Sequence, residues 1–188
     1  DEERENKCQK LTLNQPFLGI VPFVFCFYLV SVFPTFNNND FPETIAAAKT
    51  LGIGHPPGYP FYSMLGKTFT LLQLGGPGIN LNIMAAFLAA LAVAAAYLIF
   101  LFLFPGAGAA SAAFTAALSL APAFFNAALD AKGGVYSLNV IFLAATLALS
   151  ASLARKFRGR DLYLLSFTAG LSLAHHWQSM AVIAPAAI

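Results

Sequence analysis

Apolar residues in this chain gather into long runs, at residues 17–33, 80–104, 107–128, 135–154 and from 162 onward, with short Gly-, Pro- or charge-bearing breaks between them. A run of about 20 residues rises far enough as α-helix to cross the roughly 30 Å hydrocarbon layer of a bilayer. The run at 17–33 carries no charge and exceeds the roughly 7–15 residues of a signal-peptide core. No Ala-x-Ala cleavage site follows it, so a retained first helix is expected there, kinked near Pro22. Residues 61–74 are shorter and include Lys67 and Gln73, which suits a helix lying at the interface. Breaks are expected at Gly75-Gly76-Pro77-Gly78, at Pro105-Gly106, at Lys132-Gly133-Gly134 and across 155–161. Small residues four apart, such as Ala85 with Ala89 and Ala92 with Ala96, permit close helix packing. The pattern predicts an all-α integral membrane protein, a polytopic bundle of about five transmembrane helices with interfacial helices in the first outer loop.

Composition supports the same class. The chain is 59% hydrophobic and 10% charged, against the roughly 25% charge of soluble domains, so its apolar surface exceeds what one small core can hide. Ten basic and eight acidic side chains leave a net charge of +2, too few and too scattered for a nucleic-acid footprint. Cys8, in the polar tail, and Cys26, in an apolar run, show neither a disulfide framework nor zinc-ligand spacing.

Charge also orients the chain. Arg155, Lys156, Arg158 and Arg160 crowd one short connection, which the positive-inside rule places in the cytoplasm. Counting spans back from there makes the tail at 1–16 cytoplasmic and 34–79 an extracytoplasmic loop, within a single transmembrane domain covering 1–188. The surrounding bilayer is expected to be a bacterial inner membrane or an ER-type membrane. Counting forward, His175 and His176 arrive about 20 Å along the last run, in the outer half of the bilayer. Asp40, Glu43, Lys49, His55, Lys67, Asp130, Lys132, Tyr136, His175 and His176 then all fall on or near the outer face. Both signs of charge and all three histidines on one side point to a polar cavity there, since a bilayer tolerates such groups only where something satisfies them.

The residue types allow several roles. Asp40 and Glu43, three apart around Pro42, suit the N-cap and first turn of a helix, yet a partly desolvated carboxylate at a membrane face also makes a better general base. A divalent metal on Asp40, Glu43 and a histidine is conceivable, but the spacing matches no ligand motif, so no metal or other cofactor is assigned. His55-Pro56-Pro57-Gly58-Tyr59-Pro60 is stiffened by its prolines, either as a connector or as a wall presenting His55 and Tyr59 to a ligand. Adjacent His175 and His176 would project about 100° apart on a regular helix, so only one would face a given cavity. Lys132, at a Gly-Gly break, suits anion binding or snorkelling to the interface.

Several motifs are familiar together. Asp40-x-x-Glu43, Leu51-Gly52-Ile53, His55-Pro56-Pro57-Gly58-Tyr59-Pro60-x-Tyr62, Asn80-x-Asn82, Val135-Tyr136-Ser137-Leu138-Asn139 and Gly170-Leu171-Ser172-Leu173-Ala174-x-His176 resemble the signature of the membrane family formerly labelled DUF2723, which includes protein O-mannosyltransferases of the TMEM260 type. The resemblance runs from about Phe33 onward and makes the chain look like the N-terminal part of a longer module. It implies a GT-C glycosyltransferase fold, an extracytoplasmic active site, a polyprenyl-phosphate-linked sugar, mannose above all, as donor, and a protein or glycan hydroxyl as acceptor. It also implies Asp40, then Glu43, as catalytic carboxylate. His55, Tyr59, Lys132, Tyr136, His175 and His176 become candidates for substrate binding, with Lys132, His55 or His176 steadying the departing phosphate. The competing expectation is a non-catalytic scaffold or lipid-binding subunit of a larger membrane complex that keeps this fold.

Overall fold

The computed structural model describes residues 16–35, 40–56 and 58–183. The polar tail with Cys8 lies outside the described residues, as does Pro57 of the proline-rich element. Regular structure among the described residues is helical: α1 (Pro16–Leu29), α2 (Phe41–Thr50), α3 (Pro60–Thr70), α4 (Pro77–Leu103), α5 (Gly108–Leu120), α6 (Pro122–Ala128), α7 (Gly133–Arg155) and α8 (Gly159–Ile183). Four of these open on proline, whose fixed φ suits the first turn and whose missing N–H would find no partner there anyway.

The long central helix α4 holds the fold together, packing against α1, α3, α5 and α7, while α7 in turn carries α8. Its alanines permit this. Ala86, Ala89, Ala90 and Val93 form a low face into which Val24 and Tyr28 of α1 settle, together with Ala128 at the end of α6. Close approach of backbones is how helices associate where lipid removes the hydrophobic incentive. A second core joins the outer-loop helices to the spans, with Phe41, Ile45 and Ala48 of α2 and Tyr62 of α3 against Leu81, Met84 and Leu88 of α4 and Val135, Leu138 and Phe142 of α7.

Among the described residues, α4 and α7 are long and apolar enough to cross a membrane. Residues 107–128, expected as one span, form α5 and α6, bent by 66°. The cause is Pro122, which cannot donate to the carbonyl one turn back and so releases Ala121 into an extended conformation at ψ 127°. If that bent pair counts as one crossing, the described spans number three. Helix α1 has 14 residues, and α8 dilutes its apolar character with Asp161, His175 and His176. Helix α3 is short, as expected for 61–74, but buries Tyr62, Ser63 and Gly66 against its neighbours.

Candidate functional site

The first loop is built as a helical hairpin whose bend carries the chemistry. Phe41, Ile45 and Ala48 recur at helical spacing and turn into the core, which leaves Asp40 and Glu43 facing outward. Leu51 ends α2 in the left-handed region at φ 56°, and the chain doubles back through His55 to Tyr59, which is left-handed at φ 47° before Pro60 opens α3. A positive φ on an aromatic residue is costly and persists only where its surroundings enforce it.

Glu43 clasps the loop. One carboxylate oxygen accepts the backbone N–H of His55 and the other accepts from its Nδ1, both at 2.6 Å. These two bonds, the side-chain one foremost, hold the Glu43 carboxyl below its ordinary value. The other ring nitrogen, Nε2, lies 3.3 Å from the Lys132 ammonium and 3.6 Å from Asp40 Oδ2, and Lys132 reaches the same Asp40 oxygen at 3.8 Å. Asp40 occupies the N-cap position of α2 but its side chain makes no capping bond; only its backbone carbonyl is used, by Thr44. Its carboxylate is thus turned to the cluster and, at 53% exposed, to the outside.

Lys132 comes from a distant turn, and its place is fixed by buried groups on both sides. Asn82 is fully buried in α4; its amide donates to the carbonyls of Phe33 at 2.6 Å and Thr35 at 3.3 Å, while its oxygen accepts the Ala131 N–H at 3.1 Å. The Ala131 carbonyl in turn accepts from the buried Tyr62 hydroxyl. Both backbone groups of the residue before Lys132 are therefore held. Asp130 accepts the Gly133 N–H at 2.7 Å and so starts α7, and burial pushes its carboxyl up. Gly134 is required here because a Cβ would fall on the Tyr62 hydroxyl. The Lys132 side chain, only 15% exposed, lies 4.4 Å from the centre of the Tyr59 ring.

Tyr59 is the meeting point of the remaining groups. His55 meets its ring edge-on at 6.3 Å between centres, and His176 and His175 approach at 5.5 and 6.3 Å. Burial first, then Asp40 and Glu43, raises its hydroxyl above the ordinary range. A regular helix would have separated the two histidines. Instead α8 is broken at His176 (φ −155°, ψ 86°), so both rings face Tyr59, and the His175 Nε2–H donates to the Val135 carbonyl at 3.0 Å. Asp40, Glu43, His55, Tyr59, Lys132, His175 and His176 thus gather at one end of the α4–α7 pair, opposite the basic residues at 155–160. Tyr136 is placed elsewhere, half exposed beside Leu118, Phe124 and Val140 in an apolar recess between α5–α6 and α7. Lys67 donates to the Lys49 carbonyl at the end of α2, a favourable position for a cation at a helix C-terminus.

Asn82 and Tyr62 are the functional supports that residue-by-residue reasoning passed over. Each stands in a recognised motif, and Asn82 is an amide inside an apolar run, which is itself a signal. The side chains of Asp40, Glu43 and His55 bring one donor atom each within 4.8 Å of one another, close enough for a divalent ion, although both Glu43 oxygens are already engaged by His55 and Lys132 stands at Asp40. Beneath the cluster, Thr44, Ala47, Gly54 and Ser63 help to line a pocket of about 10 Å³, enough for one water molecule.

Residues 40–188 match the family described as Protein O-mannosyl-transferase TMEM260 N-terminal domain. The chain belongs to this family. Among its relatives, Protein O-mannosyl-transferase TMEM260 of Mus musculus is 30% identical over 141 residues, which are 72% of this chain and 20% of the mouse protein. Protein O-mannosyl-transferase tmem260 of Dictyostelium discoideum is 31% identical over 72 residues, 37% of this chain and 9% of that protein. The chain therefore spans no more than about a fifth of the length of these relatives. No solved structure matches it. The matched region begins at Asp40, so the whole cluster lies inside the family domain.

Proposed function

We propose that this chain is the N-terminal part of a membrane O-mannosyltransferase that moves mannose from a polyprenyl-phosphate donor to a protein hydroxyl on the extracytoplasmic side. The observation that carries the reading is the meeting of Asp40, His55 and Lys132 at one end of the helical bundle, inside a domain shared with relatives named protein O-mannosyl-transferase. In this reading α1, α4, the α5–α6 pair, α7 and α8 make five crossings of a GT-C-like module. The basic turn after α7 is cytoplasmic and the cluster faces outward. The acceptor oxygen attacks the anomeric carbon as its proton passes to Asp40. The bond from that carbon to the phosphate oxygen breaks, its electron pair stays on the lipid phosphate, and the configuration inverts. Lys132 supplies the cation that steadies the departing phosphate. The rest of the full-length protein completes a site whose enclosed space in this part is large enough for only a single water.

The test uses full-length protein in membranes with labelled polyprenyl-phosphate sugars and an acceptor protein. Wild type should transfer labelled mannose, and Asp40→Asn should lower turnover by about 100-fold or more, the scale of general base catalysis. Undiminished transfer by Asp40→Asn would remove Asp40 as base. No transfer from any donor by wild type would leave the scaffold reading in its place.

A further inference from the structure

Glu43 and Asp40 are both carboxylates of the first loop, but the geometry gives them different work. Glu43 spends both oxygens on His55, one on the backbone N–H and one on Nδ1, at 2.6 Å each. A carboxylate held in its charged form can only accept, so Nδ1 must carry a hydrogen. On the opposite edge of the ring, Lys132 Nζ lies 3.3 Å from Nε2. An ammonium can only donate, so Nε2 must present a lone pair. Two independent neighbours thus favour the same tautomer, with the hydrogen on Nδ1, and the Nε2 atom lies 3.6 Å from Asp40 Oδ2.

We infer that Glu43 is a positioning residue rather than a second base, and that it holds His55 so that Nε2 receives the proton Asp40 takes from the acceptor. The inference rests on the transferase reading and deepens it. At rest, the Lys132 ammonium occupies the face of His55 that would accept the proton, and a second positive charge there would be repelled. A phosphate arriving at Lys132 draws the ammonium toward itself and frees Nε2. The acceptor proton moves to Asp40 Oδ2 as the glycosidic bond forms, then from Asp40 to His55 Nε2. The resulting imidazolium is stabilised by the Glu43 carboxylate at Nδ1, as a buried or half-buried histidine is by an acidic partner. His55, 39% exposed, then releases the proton to water, and Asp40 is again a carboxylate. No oxidant, reductant or further reactant is needed.

The experiment has two readouts on full-length protein in membranes. In nitrogen-15 solid-state spectra of histidine-labelled protein, with His55 assigned by the loss of its signals in His55→Gln, wild type should show the Nδ1–H form. Glu43→Gln combined with Lys132→Met should shift His55 to the Nε2–H form, because the amide can turn its own N–H toward Nδ1 and no ammonium then claims the Nε2 lone pair. In transfer assays, Glu43→Gln and His55→Ala should each lower turnover by about 100-fold, and the double variant should be no slower than His55→Ala, since Glu43 acts through that ring. Added imidazole should restore part of the rate of His55→Ala and none of that of Asp40→Asn. An Nε2–H signal in wild type, or losses that multiply in the double variant, would overturn the proposal. If wild type transfers no sugar, the transferase reading falls while the spectra still decide whether Glu43 sets the His55 tautomer.

Discussion

Replacing Asn82 with Leu tests the support beneath Lys132 without changing side-chain size much. The substitution removes a donor shared by the Phe33 and Thr35 carbonyls and an acceptor for the Ala131 N–H, in a position with no exposed surface. Each net hydrogen bond is worth about 1 kcal/mol, and an orphaned buried partner costs about 1–3 kcal/mol. The 3.3 Å contact to Thr35 counts for little, so the Phe33 and Ala131 bonds together set a loss of about 3 kcal/mol. At 1.36 kcal/mol per factor of ten, that corresponds to about two orders of magnitude in the local opening equilibrium. The turn at 129–133 is where it should be read, because Ala131 loses its anchor there while its carbonyl stays on Tyr62. Hydrogen exchange of the full-length protein in lipid nanodiscs, followed by mass spectrometry, should show amides of that turn exchanging about 100-fold faster in Asn82→Leu. Exchange within threefold of wild type would refute the claim that Asn82 fixes the turn and, through it, Lys132.

Two further outcomes follow from neighbouring contacts. Gly134→Ala places a methyl on the Tyr62 hydroxyl and 3.2 Å from the Ala85 Cα, an overpacking that should cost about 1–3 kcal/mol; a thermal melt unchanged from wild type would show the seam to be looser than described. The Glu43 clasp should depend on acid. Its carboxyl is held below its ordinary value of 4.5 by His55, so the folded form favours the charged state, and the stability it adds is present above that value and is lost as pH falls through the depressed one. Exchange protection of residues 52–56 should therefore fail only at pH below about 4.5 and should lose this acid step in Glu43→Gln, whereas failure near neutral pH in wild type would contradict the assigned cause.

How much of this was readable beforehand varies with the physics of each part. The spans of α4 and α7 follow from uninterrupted apolar length, which is the strongest signal a membrane chain offers. The bend at Pro122 was also visible as a proline in a run, yet proline inside a membrane helix is tolerated often enough that the run alone did not decide between a straight span and a 66° break. Asp40 shows the limit of local spacing. Its position before Pro42 reads equally as a helix cap, and only the direction of its carboxylate, set by a lysine 92 residues later in the chain, decides that it caps nothing. The pairing of His175 with His176 around Tyr59 was illegible because a periodicity argument assumes regular backbone, and the backbone breaks at His176.

The charge cluster and the helix packing are consequently one problem. His55 and Lys132 are 77 residues apart, and what joins them is the fit of α3 and α7 against α4. Tyr62 is the point where the two meet: its ring lies in the core with Leu81, Met84 and Val135, while its hydroxyl holds Ala131 next to Lys132. The same hydroxyl excludes any side chain at Gly134, so the close approach of α7 to α3 and the placement of the cation come from a single contact. A side chain of 15% exposure can be aimed at Asp40, His55 and the Tyr59 face together only if the turn that carries it is rigid. That explains why polar residues stand at Asn82, which is fully buried, and at Asp130, which is half-buried, where an apolar residue would leave the turn without its hydrogen bonds.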